Sequence, residues 1–512
     1  MRVIEARNGF PSGTCHSRAI AAAIACLLFV HNSPAGNATW SSNPSSNDWN
    51  TAGNWVPQTV PGPDDIATFT TSTATSISVS TYTAVRGITF GAGASAFTFT
   101  APPKNPIEVG VSGIANDSAA LQQFLAAVDD QGNSGAIIFT GSTSTAGANT
   151  VFIAEARRTS FGDTGDIEFI DASAGNGLFS TRGGELEGSI GGQLRFFGKA
   201  TAGNAAITNE GGLLTGAAGG TTSFFNTSHA GNATLVADSG SNGGDGGQII
   251  FSGTSTGDTA RVMVFGNGKL LLSSRSTGLS IGSLEGDGVV EAIGSLTVGA
   301  NNLNTTFSGL FQDGITGSGS LTKIGTGTMT LATPSTYSGR TAVDGGTLLV
   351  TNATGSATGA GPTNVNLGIL GGSGIITGRT TIGSGSGAGA FLAPAGGSNI
   401  QATLTIQSRL TFNSDATYIC TFKAKKNKAR TDRVTANGVT INTGATINLT
   451  GQIKGTLRQG LTLTLISNTS ANPTSGTFSN LPDGGIVTIN GNNLQASYEG
   501  DDGNDLTLTV VP

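Results

Sequence analysis

The chain has 512 residues and a formal net charge of −6; 80 residues are Gly, while 11% are charged and 6% aromatic. So acidic and charge-poor a chain lacks the basic face that general nucleic-acid binding needs to displace counterions. Alternating Val, Ile, Leu and Phe recur throughout the Gly, Ser, Thr and Asn background, which argues against low-complexity disorder and for short strands joined by tight turns.

The N-terminus carries Arg2, Arg7 and Arg18, then an apolar run from Ala19 to Val30, then small residues. This is the pattern of a secretory signal peptide over residues 1–38, with cleavage expected after Ala35 or Ala38. The run is short for a bilayer span, and no later segment approaches ~18 consecutive apolar residues, so no transmembrane segment is expected in the mature chain. Cys15 and Cys26 leave with the signal, so Cys420 remains alone and no intrachain disulfide can form. His229 is the one histidine expected beyond the processed region, which excludes a histidine metal cluster.

Residues 39–116 are expected to form an N-terminal cap and the first β rungs. Trp40, Trp49 and Trp55 lie in a stretch rich in Asn and Ser. They either stack on sugar rings or plug the open end of a repeat stack, and the plug is preferred because such a stack must hide its apolar core at each end. Between Ile66 and Thr100, alternating runs divided by Gly-containing breaks read as strands.

Residues 117–316 are expected to be a β-helix with repeats of roughly 28 residues. Within it, 117–130 has helical spacing at Leu121, Phe124, Leu125 and Val128, with Asp117 as a cap. A rung is due there, so strand is preferred. Setting Phe139, Phe169, Phe197, Phe225 and Phe251 in register gives intervals of 30, 28, 28 and 26 residues by subtraction, each Phe being followed by a small-residue turn. A coil of three short strands per repeat would stack these rings inside, about 4.8 Å apart. The alternative is an external aromatic stripe for sugars.

Residues 317–351 form a compact unit of three strand-like runs. Leu321, then Met329 and Leu331, then Tyr337, Thr341 and Val343 fall on alternate positions; Gly325 with Gly327, Pro334 with Ser335, and Asp344 with Gly345 and Gly346 are read as turns. With the preceding blocks LEGDGVVE, SLTVGANN and TTFSG, the string from Ser280 to Val350 resembles the autotransporter-associated β-strand repeat family. The resemblance implies an all-β, right-handed parallel β-helix (solenoid), the exported passenger part of a bacterial surface or secreted protein. It implies no particular activity. A complete autotransporter also carries a C-terminal translocator barrel, and no such barrel is read in this sequence.

Residues 352–512 are expected to complete the β-helix and its C-terminal cap. The basic cluster Lys423, Lys425, Lys426, Lys428, Arg430 and Arg433 is either a patch for acidic polysaccharide or lipid headgroups or, as preferred, a solvated loop. Near the end, Glu499, Asp501, Asp502, Asn504 and Asp505 offer oxygen ligands without an EF-hand spacing, leaving weak calcium binding near Asp501 to Asp505 as an open alternative to a closing turn.

A parallel β-helix also serves polysaccharide lyases and glycosidases, so the residues must decide. Asp64 with Asp65, Asp129 with Asp130, and Asp163 with Asp166 all sit beside Gly or Pro in turn-like settings, and none stands apart as an acid/base pair. The expectation is a secreted or surface-exposed structural and adhesive protein with no catalytic, metal or cofactor residues. Its expected partners are extracellular polysaccharide or cell-surface components. The competing reading is a secreted polysaccharide-binding or polysaccharide-degrading β-helix.

Overall fold

The computed structural model describes residues 36–273, 278–387, 389–396 and 401–512. The proposed signal segment before residue 36 lies outside them. Among the described residues the one helical piece is a single 3-10 turn, Ala52–Asn54. The rest is a parallel β-solenoid of about 16 turns.

Two long ladders form its main faces. One runs from Ala38–Trp40 through Ile66–Phe69 and Asp166–Ile170 to Leu310–Asp313; the other runs from Ser76–Ser78 through Gln122–Ala126 and Leu178–Thr181 to Thr446–Lys454. Each strand pairs in parallel with its equivalent one turn on, as in Asp166 to Ile170 against Gln193 to Phe197. Alternate side chains enter the core, as period-2 geometry demands.

The preferred strand at 117–130 is found at Gln122–Ala126, where Phe124 is buried and Leu121 is exposed. Tertiary pairing overrides the helical spacing there. The repeat at 139–257 differs from expectation first in its strand count: each turn has two strands, not three. Its third side is reduced to a row of single bridges, Thr145–Ser173–Thr201–His229–Thr256. The adjoining Gly175, Gly203 and Gly231 have φ of 61°, 62° and 60°, the left-handed region that glycine tolerates.

The interior aromatic ladder is Phe139, Phe169, Phe196, Phe224 and Phe251, with ring centroids 4.7, 5.1, 4.7 and 4.6 Å apart. Phe197 and Phe225, assigned to that ladder from the sequence, instead face outward and stack on each other at 5.1 Å. A one-residue slip in a strand moves a side chain to the opposite face. On the second sheet Phe99, Phe124, Phe152 and Phe179 form another interior stack at 4.8, 4.9 and 4.8 Å, which the sequence reading missed.

The region at 317–351 marks a change in the coil. Gly319–Lys323 and Thr328–Leu331, separate strands in one turn, pair with the two halves of a single longer strand, Thr341–Val350, in the next. Asp344, Gly345 and Gly346 are therefore an irregularity inside that strand, where the register shifts, and not the turn expected of them. Leu321, Met329, Leu331, Tyr337, Thr341 and Val343 are all buried.

Both ends depart from the parallel pattern. At the N-terminal end Trp55–Val56 pairs antiparallel with Ala38–Trp40, and Trp40, Trp49 and Trp55 are buried in edge contacts with Phe69 beneath them. At the other end Thr462–Asn468 pairs antiparallel with Asp505–Val511, followed by Asn492–Gly500 and Ile486–Ile489. Antiparallel closure covers the edge that a parallel stack would otherwise leave open.

Candidate functional site

With the main aromatic ladders turned inward and Phe197 and Phe225 paired with each other outside, the contact surface is sought first among polar and charged side chains on the outside of the coil. In each carboxylate pair weighed from the sequence, one member is engaged within the fold. Asp65 is buried and accepts the Gly62 amide at 2.9 Å, while Asp64 is exposed. Asp129 accepts the amides of Gln131 and Asn133 at 2.9 Å and the Asn133 side-chain amide at 2.9 Å; these bonds, led by the Asn133 side chain, lower its pKa. Asp166 forms an ion pair with Arg195, which also reaches Glu168 at 2.8 Å. Burial raises the Glu168 carboxyl and lowers the Arg195 guanidinium; directly opposite one another on adjacent strands, the two side chains link neighbouring turns on the outer side of the sheet.

The terminal acidic segment closes the hairpin between Asn492–Gly500 and Asp505–Val511. Asp501 accepts from Thr464 at 2.7 Å, and Asp505 accepts the Asn468 amide at 2.7 Å while burial raises its pKa. Among the described residues no group of three or more His, Cys, Asp or Glu side chains is placed to hold a metal ion.

Two surface features bring charge together. The first, missed by the sequence reading, is a groove of about 760 Å³ whose charged lining is Glu155, Arg157, Arg158, Arg182, Glu185 and Glu210, with Leu186 and Leu213 beside them. Glu155, Arg182 and Glu210 each follow a buried strand end and fall into one column, continued beyond the groove by Asp238; their backbone amides donate to the carbonyls of Ala126, Ala154, Thr181 and Asn209, respectively, one turn earlier. Within it Arg182 pairs with Glu210 at 2.9 Å and Arg158 with Glu155 at 3.1 Å. Burial, with Glu210 adding to it, raises the pKa of Asp238. The groove is self-neutralised, which suits hydrogen bonding to hydroxyl-rich ligands better than capture of a single charge. A sequence signal existed: charged residues follow the inward apolar or small residue at equivalent points of successive repeats.

The second is the basic cluster, and the expected loop is a hairpin. The strand Ala416–Lys425 turns at Lys426 and Asn427 and returns as Lys428–Thr431, while Thr446–Lys454 lies parallel on its other side. Phe422, Ala424 and Ile453 face inward and are buried; Lys423, Lys425, Lys428, Arg430 and Lys454 are exposed. Their stems line a shallow depression of about 340 Å³.

Between these features the outside of the coil repeats itself. Asn204 donates its side-chain amide to Asn176 at 3.0 Å, and Asn232 to Asn204 at 3.1 Å, one step per turn. Among the described residues no helix is long and apolar enough to cross a membrane.

Residues 321–350 match the passenger-associated-transport-repeat family, the same stretch on which the sequence resemblance was centred. The crystal structure of the Haemophilus influenzae Hap adhesin is similar at 12% sequence identity with a TM-score of 0.29, over 88% of this chain and 59% of that chain. This chain thus spans less than two thirds of the length of that one. No curated protein matches the sequence. The chain is an all-β parallel solenoid that contains one stretch similar to a passenger-associated transport repeat.

Proposed function

We propose that the protein is an exported, surface-presented or secreted solenoid that adheres to extended extracellular polysaccharide without cleaving it. The observation that carries this reading is repetition on the outer surface: turn after turn presents the same short polar side chains in line, as in the column Asn176, Asn204 and Asn232. Contacts of this kind are individually weak and add along a polymer through effective concentration. The matched repeat, named for passenger transport, supports export. The engagement of Asp65, Asp129 and Asp166 in internal bonds supports a role without acid/base chemistry.

Export would remove the segment before the first rung. Ala38 opens the strand Ala38–Trp40, and Asn37 accepts the Ile66 amide at 2.8 Å. Of the two cleavage positions, the one after Ala35 keeps both interactions, so the mature chain should begin at Gly36.

Binding of soluble fragments of graded length tests the adhesive reading. Affinity should rise steeply with fragment length while single sugars bind negligibly. Equal affinity for a monosaccharide and its polymer would point to one discrete pocket and against adhesion along the coil.

A further inference from the structure

We propose that the exposed face of the hairpin around Lys426 and Asn427 is a docking surface for a carboxylated, acidic polysaccharide. The proposal rests on the adhesive reading above and assigns it a place and a ligand charge.

Register is the first argument. Lys425 stands opposite Lys428 on one side and Lys454 on the other, so three ammonium-bearing side chains form one cross-strand row; Lys423 stands between Arg430 and Gln452 in the next row. Neighbouring strands lie about 4.8 Å apart, and residues two apart along a strand about 7 Å apart, so five cations occupy a patch hardly larger than two sugar units. Like charges directly opposite one another destabilise a sheet. The arrangement is therefore unfavourable in the isolated molecule and becomes favourable when a line of anions crosses the rows.

Ion pairing does not relieve the row formed by Lys425, Lys428 and Lys454. Among the described residues no carboxylate forms an ion pair with Lys425, Lys428, Arg430 or Lys454. Asp432, the acid closest in sequence, is buried and occupied by the amides of Ala402 and Thr421 at 2.9 and 2.8 Å. In a chain of net charge −6, six of the 25 Lys and Arg residues fall between 423 and 433.

The surroundings of the rows select the kind of polyanion. Below Lys454 the same strand turns Gln452, Thr450 and Asn448 outward, all exposed, and these amides and hydroxyls match sugar hydroxyl groups. An anionic membrane would favour apolar side chains beside the cations for insertion, and the inward residues Phe422, Ala424 and Ile453 are buried on the opposite face. Single-stranded nucleic acid would favour aromatic platforms, and this face carries none.

The test compares the purified chain with Lys425→Glu/Lys454→Glu and Lys428→Gln/Arg430→Gln variants. Probes are polygalacturonate, neutral dextran, phosphatidylglycerol vesicles and duplex DNA. The expected result is binding to polygalacturonate that weakens about tenfold in each variant and about tenfold on raising salt well past physiological strength, because screening cuts exposed attraction. Thermal stability of the Glu variant should be equal to or above that of the parent, since the repulsive row is relieved. Unchanged polygalacturonate affinity in both variants, no binding to it by the parent, or tighter binding of the vesicles or DNA would each overturn the proposal. Dextran separates this outcome from the broader reading: retained length-dependent binding to dextran leaves adhesion standing while the acidic docking surface falls.

Discussion

Lys323 is the residue that alternation places inside and chemistry would place outside. Two positions after the buried Leu321, it is 1% exposed, and its ammonium donates to the carbonyls of Ile324 at 2.6 Å and Gly345 at 3.3 Å. Burial lowers its pKa to about 8 from 10.5. Between those two values the unfolded chain binds more protons than the folded one, so stability should rise with pH across this window and be lowest below it. The gain should be about 1–3 kcal/mol between neutral pH and pH 10.5. Denaturation curves over that range should show the rise, and Lys323→Met should flatten it; a parent profile as flat as the variant's would show the ammonium to be solvated. Period 2 from Leu321 already pointed Lys323 inward. What could not be read was the pair of carbonyls that makes the position tolerable, because Gly345 arrives from the next turn.

At the scale of the strand, parity decides which aromatic is structural. In Gln193–Phe197 and Thr221–Phe224 the inward positions are set by Leu194 and Thr222, so Phe196 and Phe224 enter the core while Phe197 and Phe225 stay partly exposed. The sequence reading chose the wrong member of each Phe-Phe pair by aligning spacing between repeats instead of counting by two within each strand. Ile137, Ile167, Leu194 and Ile249, each two residues before an interior Phe, held the needed signal. Phe196→Ala should cost about 3–5 kcal/mol by opening a cavity in a continuous ring stack. Phe197→Ala should cost about 1 kcal/mol, the worth of an exterior ring pair. Thermal melts of the two variants provide the comparison, and equal losses would contradict the assigned register.

Over the whole coil, the fold was legible because repetition writes it many times: alternation marks the strands, small residues mark the corners, and residues 321–350 match a passenger-associated transport repeat. The surface was less legible. The groove draws Glu155, Arg182 and Glu210 from successive turns, and Lys454 joins Lys425 across 29 residues, distances that only the stacking register closes. Local spacing at 423–433 therefore showed the charge and missed the hairpin that presents it. The same register places the weighed carboxylates in struts and turns, with Asp166 held to Arg195 between neighbouring strands. Adhesion without cleavage is the functional consequence proposed from it. The most direct measurement incubates the purified chain with acidic and neutral polysaccharides, with and without calcium, and follows polymer length and new reducing ends. Unchanged polymer length alongside retention of the protein on the polymer is the predicted result. Reproducible shortening of any of these polymers by the purified chain would contradict it.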